Sequence, residues 1–502
     1  MSERYPDPAR RALITASTML AAILVTLDAT VANVALPRIQ SSVAASPEQI
    51  VWVVTSYVIA GAIFTPLSGW LATRYGRKEV MVASVAGFTL SSIACGLATN
   101  LEMLVLFRLL QGASGAAMVP LSQATLLDIN PPEKHGQAMA LYGMGSMLGG
   151  IIGPALGGWL TDWLSWRAVF LINIPFGALA CIGMFIFMSP SPKDSTSRFD
   201  LFGFAALSIF LASLQLMVDR GQQLDWFDSI EICIEATFMA AFGYVFLVHI
   251  FSAKSPFIRP ALFRDRNFLI GSIISAVLGV LVFGAMPLIG IMLQQGLGYP
   301  VLLAGLVQAP RGIATMFSMI IAGRLMGKVD TRFLLLIGMV STGIGFLMMS
   351  GLSLESHQNE IIASGIMLAI GSGMIFVPLS TIVFSTLDPA LRNEGAALFA
   401  LVRNIGSSVG ISLLQIMTIR NAATVQSRLT EGVRPDNPAM DLTWPELDFT
   451  SSESLTGMHH EIARQAMMVG YIDSFWFLFV LSLILMPIIW LMRPPKRPAN
   501  GA

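Results

Sequence analysis

The fold class is predicted by residues 108–158, RLLQGASGAAMVPLSQATLLDINPPEKHGQAMALYGMGSMLGGIIGPALGG. This stretch predicts two long apolar helices joined by a short polar turn at residues 131–134. The first helix carries a charged residue, Arg108. An arginine at membrane depth is costly and usually serves a function. The stretch therefore predicts a membrane protein with working parts rather than a simple anchor.

The second of these helices has glycine at every fourth position, at Gly145, Gly149, Gly153 and Gly157. This spacing leaves a smooth stripe on one helix face, where another helix can approach closely. Pro154 follows one of these glycines and loosens the helical hydrogen-bond ladder, which would permit bending. Tight packing without movement is the alternative interpretation.

Composition extends the membrane assignment to the whole chain. Its 502 residues are 55% hydrophobic and 12% charged, about half the charged fraction of a soluble protein. Its three cysteines lie in apolar blocks without metal-site spacing, so we expect packing roles, no metal and no cofactor. The N-terminus is polar and basic, and the first apolar block is too long for a cleaved signal peptide.

Continuous apolar blocks of about 20 residues predict an all-α polytopic membrane protein with fourteen spans. The predicted spans are 12–36, 50–72, 79–98, 101–127, 136–160, 166–189, 200–218, 229–252, 267–293, 301–323, 332–351, 361–385, 394–420 and 472–492.

The basic residues predict the orientation of these spans. With a cytoplasmic N-terminus, 20 of the 30 Lys and Arg residues fall on the cytoplasmic side, so both termini are predicted to be cytoplasmic. A polar linker follows residue 190. Residues 421–470 are polar and external, either a docking surface or a solvated loop.

An internal sequence repeat predicts that the chain has two related halves. Ser114-Gly115 and the VPLS at 119–122 recur 258 residues later, as Ser372-Gly373 and the VPLS at 377–380. We therefore predict a six-helix bundle at 1–190, a linker with two inserted spans at 191–266, and a second six-helix bundle at 267–502. This is the layout of a two-bundle transporter with its site near the membrane midplane.

Few ionisable residues lie deep within the predicted spans. Asp28 lies roughly 13 Å from the outer end of span 1 and Arg108 roughly 10 Å from that of span 4, so they could pair. A carboxyl between a dry environment and a guanidinium can bind and release a proton. The alternatives for Asp28 are a structural hydrogen bond to neighbouring backbone or a site close enough to the surface to be hydrated. The alternative for Arg108 is a helix-packing residue that donates to backbone carbonyls.

Arg311 and Arg403 lie near mid-depth in spans 10 and 13. This excess of buried positive charge suits anionic or neutral cargo at least as well as cationic cargo. We count Asp28, Arg311 and Arg403 as candidate residues of a substrate cavity, together with Asn33, Gln123 and Asn404.

A basic turn between spans 2 and 3 supplies candidate gating residues: Gly69, Arg74, Gly76, Arg77 and Lys78. Its glycines permit the turn and its charges can cap helix ends or bridge to acids. Gly149, Gly153, Pro154 and Gly157 are further conformational candidates. The chain contains no phosphate-binding loop and no catalytic grouping, so it is predicted not to be an enzyme and not to use ATP directly.

At these residues the chain resembles the major facilitator superfamily, and in particular its fourteen-span drug:proton antiporters of the EmrB/QacA type. The similar segments are GWLATRYGRK (69–78), RLLQGASG (108–115), GGIIGPALGG (149–158), LDATVANVALP (27–37) and DRGQQLDWF (219–227). Thr73 departs from the loop signature, which usually has Asp, and Arg311 departs from the small residue of many relatives.

The resemblance implies a proton-coupled multidrug efflux transporter of the bacterial inner membrane, working by alternating access, with Asp28 and Arg108 in proton coupling. It also implies amphipathic small-molecule substrates, a periplasmic membrane-fusion adaptor of the EmrA type and an outer-membrane channel of the TolC type. The alternatives are a dedicated exporter of a siderophore, fatty acid or other natural product, or a non-transporting membrane sensor or scaffold.

Overall fold

In a computed structural model of the protein, the described residues are 5–191, 193–194, 199–434, 437 and 450–493. Within these ranges, fourteen helices are long and apolar enough to cross a membrane. They are α1 (Pro8–Ser42), α2 (Trp52–Tyr75), α3 (Arg77–Leu97), α4 (Leu101–Ile129), α5 (His135–Trp163), α6 (Ala168–Phe187), α7 (Leu201–Arg220), α8 (Ile230–Ser252), α9 (Arg266–Gly296), α10 (Val301–Leu325), α11 (Thr331–Ser350), α12 (Gln358–Ser385), α13 (Arg392–Glu431) and α14 (Ser452–Ile489).

Every predicted span is confirmed as a helix, and the main difference lies in the external segment 421–470. The structure continues α13 to Glu431 and starts α14 at Ser452, so both ends of that segment are helical rather than loop. Polarity excludes a membrane span but not a helix, and residues 421–431 contain neither proline nor glycine to end one. Residues 438–449, in the middle of the segment, lie outside the described residues.

Polar turn residues fix where several helices begin. The side chains of Asn100, Asp200 and Asp265 accept hydrogen bonds from backbone N–H groups three residues later, at 2.9, 2.9 and 2.8 Å. Such side-chain caps satisfy donors that the first helical turn leaves free. Short helices at Pro47–Ile50 and Ala261–Arg264, and single 3₁₀ turns at Pro132–Lys134, Trp226–Asp228 and Pro389–Leu391, complete the connections.

The helices pack in two groups that meet along a boundary. In the first group α1 packs on α5 and α6, and α4 packs on α2 and α3. In the second group α12 packs on α10 and α11, and α13 packs on α9 and α14. Across the boundary, α5 packs on α10 and α2 packs on α13. Helices α7 and α8 form a pair that packs against α2.

Candidate functional site

Asp28 of α1 and Arg108 of α4 form a buried ion pair. Arg108 Nη1 lies 2.6 Å from Asp28 Oδ2. Each residue is 1% exposed, so the pair is shielded from solvent screening. The two residues, which the sequence predicts to lie at similar depths, are therefore in direct contact.

Two amides complete the hydrogen bonding of the Asp28 carboxylate. Gln111 Nε2 and Asn173 Nδ2 each donate to Asp28 Oδ1 at 2.8 Å. Asn173 also donates to Ser92 Oγ at 2.9 Å, which brings α3 and α6 into the same network. A buried charge is tolerated when its remaining hydrogen-bonding capacity is satisfied. Four helices therefore build one polar site around a single carboxylate.

The guanidinium of Arg108 is held from several sides. Its Nε donates to the Val53 carbonyl at 3.2 Å and its Nη1 to Gln111 Oε1 at 2.8 Å. Its central carbon lies 4.1 Å from the centroid of the Tyr57 ring, a cation–π geometry. The alternative proposed for Arg108, donation to a backbone carbonyl, therefore coexists with the ion pair.

The glycine stripe of α5 packs directly against the helix that carries Asp28. A Cβ added at Gly149 would lie 2.8 Å from the Leu27 backbone nitrogen, and one at Gly157 would lie 3.1 Å from the Val31 Cα. Between them, an added Cβ at Gly153 would overlap the Thr30 side chain. The stripe thus permits α1 and α5 to approach closely at the depth of Asp28. Movement of α5 along α1, and bending at Pro154 within α5, remain predictions.

Arg311 of α10 has no comparable partner. Its Nη1 is buried and lacks a hydrogen-bond partner, and it takes part in no ion pair within the described part of the chain. The adjacent Gly312 lies against the Ile151 side chain of α5. Because Ile151 falls between Gly149 and Gly153 in the stripe, Arg311 lies level with Asp28, across α5 from it.

The other candidate cavity residues do not gather around Asp28. The guanidinium of Arg403 lies 5.9 Å from the centroid of the Phe376 ring. Gln123 is fully buried, and neither polar atom of its amide has a hydrogen-bond partner among the described residues. Asn33 and Asn404 have exposed side chains. The structure therefore places one complete ion-pair site beside separate, unsatisfied polar groups.

The two helix groups are locked together at the end predicted to face the cytoplasm, here called the inner end. Arg77 lies 2.7 Å from Asp128 of α4, and Arg392 of α13 lies 2.6 Å from the same carboxylate. Arg77 also donates to Asn393 Oδ1 at 2.9 and 2.6 Å. We call Arg77, Asp128, Arg392 and Asn393 the inner cluster.

Gly69 and Glu394 bring α2 and α13 together beside the inner cluster. A Cβ at Gly69 would lie 2.8 Å from the Glu394 Cα, so a larger residue there would force the helices apart. Glu394 also pairs with Arg259, at 2.8 Å. Arg259 lies in the connection between α8 and α9, so this pair attaches that connection to α13.

The remaining residues of the basic turn have local roles. Gly76 has φ +98°, a backbone conformation that favours glycine. The Lys78 ammonium lies 5.4 Å from the Phe185 ring centroid, and Arg74 is half-buried near the end of α2. Of the five turn candidates, Gly69 and Arg77 thus contact the second helix group in the described structure.

The acids and amides that complete both clusters were not among the sequence candidates. Gln111 and Asn173 were missed because the sequence does not show which uncharged residues of a span face Asp28, and Asp128 was missed because it lies at a helix end. One signal was present for Arg392. The two copies of the repeated pattern are offset by 258 residues, which aligns Arg392 with Lys134. Both repeated turns therefore carry a basic residue.

This combination of fourteen spanning helices in two groups, with a deeply buried ion pair and a locked inner end, defines a polytopic transporter. The family model described as the Major Facilitator Superfamily matches residues 18–411, and the chain belongs to that family. The protein is a multi-pass protein of the bacterial inner membrane.

Its curated relatives match from end to end. It is 33% identical to the multidrug export protein EmrB of Escherichia coli, covering 100% of this chain and 99% of that protein. It is 32% identical to the fatty acid resistance protein FarB of Neisseria gonorrhoeae, covering 99% of both. The resemblance inferred from the sequence is confirmed.

Solved structures give the same fold. The proton:xylose symporter XylE aligns with a TM-score of 0.62 at 13% identity, over 97% of this chain and 96% of that one. The human organic anion transporter MFSD10 also aligns with a TM-score of 0.62, at 16% identity, over 95% and 100%. At these identities the similarity establishes the architecture alone.

Proposed function

We propose that this protein exports amphipathic small molecules, with multidrug efflux as its activity, in exchange for protons. The observation that carries the proposal is the buried Asp28–Arg108 pair with its two amide donors. A titratable acid in a membrane interior is costly, and in transporters such acids serve ion and proton pathways. The similarity to multidrug export proteins supports the choice of cargo.

The proposed cycle moves two bundles, residues 1–190 and 267–502, against each other, with residues 191–266 as an insertion. A proton from the outer side neutralises Asp28 and weakens its attraction to Arg108. The bundles then rock, cargo leaves outward and the proton leaves inward. The inner cluster supports this cycle, because Arg392 and Asp128 join the two bundles and must separate before the inner side can open.

The proposal is tested by efflux driven by an imposed proton gradient. Vesicles would be loaded with a fluorescent amphipathic dye, and wild type compared with Asp28→Asn at equal expression. We expect the variant to lose gradient-driven efflux, because an amide of the same shape cannot carry the proton. Asp162→Asn is the matched control, since that carboxylate is 65% exposed at the outer end of α5.

Two outcomes would contradict proton coupling at Asp28. Efflux by Asp28→Asn at the wild-type rate would remove the residue from the mechanism. If Asp28→Asn changed neither the phenotype of the cells nor binding by the protein, the result would instead favour a membrane sensor or scaffold. An equal loss in Asp162→Asn would mean that the assay detects general damage rather than loss of the proton carrier.

The pump is also proposed to work with a periplasmic adaptor of the membrane-fusion (EmrA) type and an outer-membrane channel of the TolC type. The helical extensions beyond the predicted outer ends of spans 13 and 14, at residues 421–431 and 452–471, offer a surface outside the membrane. Co-purification of the full chain with its adaptor, with and without substitutions on these extensions, tests the partnership.

A second candidate is a dedicated exporter of a fatty acid, siderophore or other natural product. Arg311 favours it, because a cation whose Nη1 is buried without a hydrogen-bond partner in the described structure would select among cargoes by their charge. The similarity to a fatty acid resistance protein agrees with this candidate. A panel of toxic compounds separates the two, since a dedicated exporter would protect cells against few of them.

A further inference from the structure

The Arg311 side chain is half-buried, and no acid among the described residues compensates its charge. Its Nη1 is inaccessible and makes no hydrogen bond within the described structure. Desolvating such a group without a partner costs more than most single contacts return. By comparison, Arg108 at the same depth has a carboxylate, an amide, a carbonyl and an aromatic ring around it. An arginine kept in this state is suited to a partner that arrives from outside the chain.

The position of Arg311 makes it accessible to cargo moving between the helix groups. It lies on α10, which packs on α5 across the boundary between them. A Cβ added at the neighbouring Gly365 of α12 would lie 3.7 Å from the Arg311 Cβ, so no side chain from Gly365 fills that flank. Gly150, next to Ile151 on α5, has no atom within 4 Å of an added Cβ.

A second cation on the same boundary, Arg403, is half-buried and forms no ion pair with any of the described residues. Arg403 is near the Phe376 ring, and Phe376 lies against Gly143 of α5. Gly143 is eight residues from Ile151, so the two cations are separated by roughly 12 Å along α5. Gly143 lies towards the inner end, which places Arg403 on the inner side of Arg311.

We propose that Arg311 binds the acidic head group of an amphipathic organic anion, such as a long-chain carboxylate, with Arg403 marking an earlier position on the outward route. This inference rests on the proposed function, which it sharpens by naming the substrate class. A planar guanidinium binds carboxylates through paired hydrogen bonds. The apolar neighbour Ile151 suits a hydrocarbon body rather than a small hydrophilic anion.

Binding by the purified full-length protein in lipid nanodiscs tests the inference without requiring transport. A fluorescent long-chain carboxylate would be titrated at pH 8 beside its methyl ester, which has the same body but no charge. We expect wild type to bind the carboxylate at least about tenfold more tightly than the ester. Arg311→Gln should lose this preference, and Arg311→Lys should keep part of it.

Arg428→Gln is the matched control, because it removes an exposed arginine charge outside the predicted spans. It should bind both probes as wild type does. Equal binding of the two probes by wild type, or an undiminished preference in Arg311→Gln, would overturn the proposal. A preference lost equally in the control would also overturn it, since nonspecific charge would then explain the binding.

Failure of this inference can be distinguished from failure of the proposed function. If wild type shows the preference but no gradient-driven efflux, the anion site stands and proton-coupled export does not. If gradient-driven efflux is present and the preference absent, export stands and the anion site is refuted.

Discussion

Arg108 and Arg311 lie at the same depth on either side of α5, yet their surroundings are opposite. Arg108 contacts an acid 2.6 Å away inside its own helix group, whereas Arg311 has no acid partner in the described structure and a buried unpaired nitrogen. The first charge is neutralised by the protein and the second is left uncompensated. A site that is complete in itself suits a small ion such as the proton, while an incomplete one suits a ligand.

The strongest test of this contrast is Arg108→Leu. It removes the only cation paired with Asp28 in the described structure and leaves a buried carboxylate uncompensated, which should destabilise the fold by about 3–5 kcal/mol. Thermal unfolding in detergent measures the effect. The double variant Asp28→Asn with Arg108→Gln removes both charges and should recover most of the loss. A single variant as stable as wild type would show that the pair is not the compensated site described here.

The close packing of α5 between the two arginines can be tested by adding a single methyl group. Gly149→Ala places a Cβ 2.8 Å from the Leu27 nitrogen, and overpacking of this kind costs about 1–3 kcal/mol. Gly150→Ala is the matched control, because its Cβ would meet nothing within 4 Å. Unfolding midpoints should fall for the first variant only; equal midpoints would mean that α1 and α5 are not tightly packed here.

Asp128→Asn tests whether the two sides of the boundary are held together at the inner end. The amide loses the charge that attracts both Arg77 and Arg392, and we expect a cost of about 1 kcal/mol because these side chains are partly exposed. A cysteine introduced at the buried Gln123, after replacement of the native cysteines, should then react several times faster with maleimide added from the inner side. The control is Arg38→Gln, which removes an arginine near the end of α1 whose side chain is 70% exposed, and it should leave the rate unchanged. An unchanged rate in Asp128→Asn would refute the locking role.

The smallest effect is expected for Arg311→Met. Since no acid among the described residues pairs with this arginine, an apolar side chain of similar length should lower stability by less than about 1 kcal/mol, or increase it. Unfolding measured beside Arg108→Leu makes the comparison direct. A loss as large as that of Arg108→Leu would mean that Arg311 is satisfied within the fold, and the distinction between the two arginines would disappear.

The sequence predicted the fourteen helices because apolar length alone determines them in a membrane. It also brought Asp28 and Arg108 to similar depths, since residue counting along a helix measures depth. Depth carries no information about rotation around the helix axis. For this reason the sequence placed Arg311 near mid-depth but did not show that it lies across α5 from Asp28.

Partners from distant parts of the chain were beyond sequence reasoning. Asn173 reaches Asp28 from a helix 145 residues later, and Arg392 reaches Asp128 from 264 residues later. Neither follows from periodicity, because each depends on which helices become neighbours. The helical continuation to Glu431 was missed for a different reason, since hydropathy reports where a chain leaves the membrane and not where its helix ends.

Helix α13 connects events on the two sides of the membrane. It starts at Arg392, in the inner cluster, and continues for 40 residues to Glu431, a rod roughly 60 Å long. If it pivots as a rigid body at its inner end, a tilt of about 10° displaces its outer tip by about 10 Å. With such a pivot the helix acts as a lever. The position of a protein bound to its outer tip would then depend on whether the inner side of the transporter is open or closed.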